Sequence, residues 1–284
     1  MQNASVAKRI ADIAFSQWGM ITTAQARVHG VARANLAHRV RTGTLEPTDH
    51  HGVYRLTSAP TSQLDDLRAA WLSTNPEALA LQRTAVPRPD AVVASAAAAS
   101  VHRIGDVYPA PYRFIVPSRR QSTTGAIAYS WRPLDTKDIE LIEGLPVTTC
   151  ERTIVDLLGD EGDASLAADA LRDALRSNIN LDDARLEELL APHAKRLGGS
   201  PGDGAGALAF LMVTAEMDAA SEAGRALDRI LRSKTPLPGI EGKLDKLLKN
   251  ATALAATPPG ALNAAGISDS ARARRRKADS ATRT

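Results

Sequence analysis

The chain has 284 residues, 44% of them apolar, 24% charged and only 4% aromatic, with a formal net charge of +3. That length suits about two domains with ordinary globular cores, built here mainly from Leu, Val, Ile and Ala. A single cysteine, Cys150, excludes an internal disulfide and a clustered thiolate metal site.

No uncharged apolar run reaches the roughly 18 residues needed to span a membrane. Lys8, Arg9 and Asp12 interrupt any leader-like segment, so a cytoplasmic protein without membrane contact is expected. The charge is unevenly spread. Residues 1–60 carry seven Lys/Arg against three Asp/Glu, and four of the six histidines. Residues 156–190 reverse this, with ten acids against three bases. A basic head suits a polyanionic partner, and an acidic middle does not.

Val6, Ile10, Ile13 and Ala14 form one helical stripe that ends before Gly19. Met20–Thr23 reads as an extended pair leading to a Thr N-cap, and Thr23–His29 as a short helix. Gly30–Val31 makes a tight turn into a second helix over 32–42, closed by Gly43. Two short helices joined by a Gly-containing turn are the grammar of a helix-turn-helix. Leu45–Glu46, a polar turn over 47–52 and Val53–Leu56 read as a β-hairpin. The whole is a winged helix-turn-helix.

Leu36 and Val40, four apart, should face inward on the second helix. That leaves Arg33, Asn35, His38 and Arg39 toward solvent. Arg pairs bidentately with guanine and Asn with adenine, so these are the candidate base readers. Arg41, His51 on the wing and Arg55 are the candidate phosphate contacts. The second, less favoured reading of the same residues is the ordinary surface of a protein-contact module.

Further along, 62–72 is a helical segment with Thr61 or Ser62 as its cap, and 76–83 a second short helix. The run 92–101, VVASAAAASV, favours a buried helix in close contact with its neighbours. Residues 112–116, 126–129, 139–142 and 144–148 read as a small, mostly antiparallel sheet. Thr149 then caps a helix over 150–158, where Arg152 and Asp156 are spaced to pair. Cys150 reads as a half-buried small residue and not a nucleophile. Arg119 and Arg120 are either a phosphate-contacting patch or a solvated loop rim.

Residues 165–176 are amphipathic, 182–190 form a further helix, and 198–206 a flexible turn or linker. A long helix over 207–232 and a short one over 241–250 follow. Beyond 253 the composition supports no core, and a disordered tail is expected. Five bases in the six residues 272–277, among them Arg274, Arg275 and Arg276, make a candidate phosphate-binding arm.

No phosphate loop, dinucleotide fingerprint, zinc-protease or nucleophile-elbow motif occurs. No catalytic residue, metal site or cofactor is expected. Asp228 with Glu241 and Lys243 only loosely mimics a nuclease set, because Pro238, Gly239 and Gly242 oppose the strand it would need.

Two stretches, 19–56 with its "GVYRL" and 92–158 with its "PVTTCERTIVDLL", resemble the AbiEi-type antitoxins of type IV toxin–antitoxin systems. The resemblance runs over about residues 5–158. It implies a repressor of its own operon that binds double-stranded promoter DNA through the winged helix. Inverted repeats in that promoter would suit a homodimer. It also implies opposition to a cognate nucleotidyltransferase-like toxin. On that pattern Arg152, Thr153 and Asp156 match a middle-domain signature, read here as tying helix to sheet.

The expected fold class is therefore α+β. A winged helix spans 1–60, a small mixed or antiparallel-sheet middle domain with a helical extension spans 61–195, C-terminal helices span 207–252, and a basic tail spans 253–284. Two other readings stand beside the antitoxin. One is a winged-helix regulator that senses a ligand through residues 60–190. The other is an enzyme or adaptor that uses the winged helix for protein contact.

Overall fold

The stripe Val6, Ile10, Ile13 and Ala14 lies on helix α1 (Gln2–Phe15) in the computed structural model, which describes residues 2–215. The helices expected over 216–250, the tail beyond 253 with Arg274, Arg275 and Arg276, and the set around Glu241 lie outside the described residues.

Strand β1 (Met20–Thr22) leads into α2 (Thr23–Val28), and α3 (Arg33–Arg41) follows the turn at Gly30. The cap of α2 is Thr22. Its hydroxyl accepts from the Gln25 amide while the Gln25 side chain accepts from the Thr22 amide, so two orphan donors are satisfied reciprocally. Strands β2 (Leu45–Pro47) and β3 (Val53–Leu56) close the hairpin. The three strands form an antiparallel sheet in the order β1-β3-β2, with Met20 opposite Arg55 and Leu45 opposite Leu56. Ile10, Ile13, Ile21, Leu36, Leu45 and Leu56 make its core, and Val40 packs against them. Helices α1–α3 with this sheet form a winged helix.

Helix α4 (Asp65–Thr74) buries Leu67 and Trp71. Ser62 precedes the helix and does not begin it: its hydroxyl accepts from the Leu64 amide, and Asp65 reaches back to the Ser62 amide. Helix α5 is shorter than expected (Ala80–Thr84), because Pro76 and Ala78 give their carbonyls to side chains of the helix-turn-helix.

The Ala-rich run differs from expectation at its start. Val92–Ala94 is strand β4, the centre of a five-stranded sheet, and only Ser95–His102 is helix α6. The other strands are β5 (Tyr112–Val116), β6 (Ile127–Trp131), β7 (Ile139–Ile142) and β8 (Leu145–Thr148), in the order β6-β5-β4-β8-β7. The sheet is mixed rather than mostly antiparallel. β4 pairs antiparallel with β5 but parallel with β8, and β5 pairs parallel with β6. β4 and β8 each run straight into a helix, so the two units stack in the same sense.

Helix α7 (Cys150–Glu161) starts at Thr149, whose hydroxyl accepts from the Arg152 amide. Thr153 hydrogen-bonds the hydroxyl and carbonyl of Thr148 on β8, and Arg152 reaches Asp156 at 2.8 Å. Of the two residues expected to tie α7 to the sheet, Thr153 does so through Thr148, whereas Arg152 pairs within the helix and lies 3.6 Å from Asp138 in the turn before β7. Helices α8 (Ala164–Arg176), α9 (Asp183–Leu190) and α10 (Gly204–Thr214), with a 3-10 segment at Ala191–Leu197, share one apolar core with α7. The segment expected as a linker is therefore part of this bundle from residue 204 on. Gly204 is required there by close approach: a Cβ would stand 2.0 Å from the Glu187 carbonyl oxygen on α9.

Candidate nucleic-acid interface

Helix α3 presents no acidic side chain, and no side-chain cap bond closes its N-terminus at Ala32. The free N–H groups and the positive end of its dipole are open to an acceptor. Leu36 is buried beneath, so the opposite face is outward. Arg33, His38 and Arg41 are exposed, and Asn35 and Arg39 are half-buried. Arg39 Nε is buried without a hydrogen-bond partner, so its N–H is unsatisfied within the fold. His38, Arg39 and Arg41 also complement the negative C-terminal end of α3, which is their plain structural role.

The wing is short and turned inward. Thr23 donates its amide to the Gly52 carbonyl at 2.8 Å, and Gly52 takes φ +76°, a region that favours glycine. His50 is buried against Asp66 of α4, its Nε2 3.2 Å from Oδ1 but without the alignment of a hydrogen bond. Tyr112 donates to the same Asp66 at 2.9 Å. His51 and Asp49 are the exposed side chains of the turn. Among the described residues no group of three His, Cys, Asp or Glu side chains could hold a metal ion.

Arg55 is placed differently from the other bases. Its guanidinium meets Glu46 at 2.6 Å across β2–β3 and donates to the Ala59 carbonyl at 2.8 Å. It braces the hairpin to the chain that leaves it. Arg119 is exposed, while Arg120 donates to the Thr74 carbonyl at 3.2 Å. Sequence reasoning missed Arg9. It is exposed on α1, and its guanidinium lies beside Gly30 at the turn between α2 and α3. Its position just before Ile10, on the outward side of the stripe, was the available signal.

The winged helix is fastened to the middle of the chain. Gln25 donates to the Ala78 carbonyl at 2.8 Å, and Gln17 accepts from the Ala80 amide at 3.1 Å. Arg27 on α2 pairs with Glu77. The Trp18 indole donates to the Glu143 carbonyl at 3.0 Å, and Arg68 meets the same residue while stacking over the Trp18 ring. Met20 and Val53 are buried with Leu67, Trp71 and Phe114 in the core beneath the larger sheet.

Residues 8–57 match the AbiEi antitoxin family of transcriptional regulators. The matched region begins on α1 and ends just past β3, so it coincides with the winged helix and includes α3 whole. Every expected base reader, Arg41, His51 and Arg55 fall inside the AbiEi match, as does Arg9. No curated protein matches the chain. Among solved structures, the RV2827C protein from Mycobacterium tuberculosis is similar at 17% identity and a TM-score of 0.46, over 82% of this chain and 83% of that one. No helix among the described residues is long and apolar enough to cross a membrane.

Proposed function

We propose that this chain is an AbiEi-type antitoxin that binds its own promoter through α3, represses its operon and counteracts a nucleotidyltransferase-like toxin encoded beside it. The observation that carries the reading is the AbiEi match over 8–57, which coincides with a complete winged helix whose reading helix is open and free of acids. Arg33 and Asn35, near the start of α3, would read base edges, with His38 and Arg39 beside them. Arg41, Arg9 and His51 would contact phosphates, and a homodimer would place two such helices on inverted repeats. Arg119 and the stretch Arg274–Arg276 would add sequence-independent attraction.

Titration of a promoter fragment beside a scrambled duplex, at two salt concentrations, tests the DNA half. Arg33→Ala and Asn35→Ala should each lose roughly 1–3 kcal/mol of discrimination while staying folded. If both variants bind the two duplexes as the parent does, α3 is not the reader. Co-expression tests the antitoxin half. Growth arrest caused by the adjacent gene alone should be relieved, and a harmless neighbour would sink that half.

A further inference from the structure

Strand β4 passes into α6 at Ser95, a non-glycine residue held at φ +56°. Ser95 is fully buried, and its hydroxyl has no hydrogen-bond partner. Nearly all buried hydroxyls find a partner, so an orphan one needs a reason. Ser95 and Ala96 line a cavity of about 170 Å³. Its other walls are Val107, Tyr108 and Pro111 from the loop before β5, Arg113 on β5, and Glu161 at the end of α7.

The sheet register explains how a cation comes to stand there. Arg113 is the cross-strand partner of Ala94, the residue just before the elbow. Its guanidinium has two long contacts, 3.5 Å to Asp160 and 3.4 Å to the Ser130 hydroxyl, because Arg132 already takes both oxygens of Asp160 at 2.8 and 3.0 Å. No side-chain cap bond closes the start of α6. The cavity is therefore lined by an uncapped helix N-terminus whose first residue keeps a buried, unpartnered hydroxyl, and by a guanidinium held only at long range, the kinds of donor that a small oxyanion takes.

We propose that this cavity binds a small oxyanion, the carboxylate or phosphate group of a compact metabolite, between Ser95, the first amides of α6 and Arg113. Tyr108 stands exposed on the same rim, and the remainder of such a metabolite would lie against it. Glu161, also exposed there, opposes the anion and sets the affinity below what the donors alone would give. The inference is independent of the DNA reading.

The test uses the full chain with inorganic phosphate and, separately, acetate, each against sodium chloride at matched ionic strength. Thermal melts and amide resonances of residues 95–97 are recorded. At least one of the two anions should raise the melting temperature saturably and shift those amides, and the better probe identifies the headgroup. Arg113→Gln should weaken binding roughly tenfold or more. Glu161→Gln should tighten it, which a merely structural role would not do. Ser95→Gly relieves the backbone and removes the hydroxyl, so it should leave the free protein at least as stable yet weaken binding. Neither anion exceeding chloride, or equal binding by Arg113→Gln, Glu161→Gln and the parent, would overturn the proposal.

Discussion

The side-chain amides of Gln17 and Gln25 bond each other in both directions: Gln17 Nε2 to Gln25 Oε1 at 2.6 Å, and Gln25 Nε2 to Gln17 Oε1 at 3.2 Å. Both residues are buried, and the pair also serves the Met20 and Ala78 carbonyls and the Thr22 and Ala80 amides. Removing one partner leaves buried groups unpaired, at roughly 1–3 kcal/mol for each. Gln17→Leu and Gln25→Leu should each lower the urea midpoint clearly. The double variant should cost much less than the sum of the two, because the two residues share one network. Additive losses would show that the pair is not coupled.

Arg55 is expected to act through stability and not through phosphate attraction. Arg55→Ala should lower the melting temperature by freeing Glu46 and the Ala59 carbonyl. The slope of log affinity against log salt for promoter DNA should stay as in the parent, whereas Arg41→Ala should flatten it by about one phosphate contact. A flattened slope for Arg55→Ala with an unchanged melt would reverse this assignment.

The N-terminal third was legible because its signals are local. The stripe of α1, the Thr cap of α2, Gly30 in the turn and the polar turn before Val53–Leu56 are all written within a few residues. What long-range contacts decide was not legible. Val92–Ala94 reads as the beginning of an Ala-rich helix, and only pairing with Ile115, Phe114 and Arg113 makes it a strand. Two adjacent histidines look alike on a wing, yet one is buried against Asp66 and the other is exposed. Arg55 has the look of a free base until Glu46 lies across the hairpin from it. The cavity at Ser95 draws on residues from 95 to 161, with no sequence motif to mark it.

Cys150 should be inert in the native protein. Burial, with Glu151 and Glu140 adding to it, pushes its thiol up to about 12. At pH 8 the thiolate fraction is then about one in ten thousand, so iodoacetamide should label the chain only after unfolding. The sign of the pH effect follows. The unfolded thiol ionises near its ordinary value of about 8.5 and the folded one does not. Above that pH the unfolded state holds fewer protons, and this group's contribution to stability falls as pH rises toward 12. Rapid native labelling at pH 8 would contradict the burial.

Asp138 is a fully buried carboxylate held by Arg185 through two hydrogen bonds of 2.8 and 2.6 Å, with Arg152 at 3.6 Å. Arg185→Met strands that charge and should cost roughly 3–5 kcal/mol in denaturant unfolding. Adding Asp138→Asn to it should recover part of the loss. If the double variant is no better than the single one, the pair is not what joins α9 to the turn before β7.

Met20 and Val53 belong to strands of the winged helix, yet they are buried with Trp71 and Phe114. A fragment cut after residue 60 would turn those side chains, with Trp18 beside them, into solvent-facing oil. Such a piece should be sticky and poorly expressed however complete its helix-turn-helix looks. Anyone wishing to transplant the winged helix onto another protein would have to carry α4 and the larger sheet along with it.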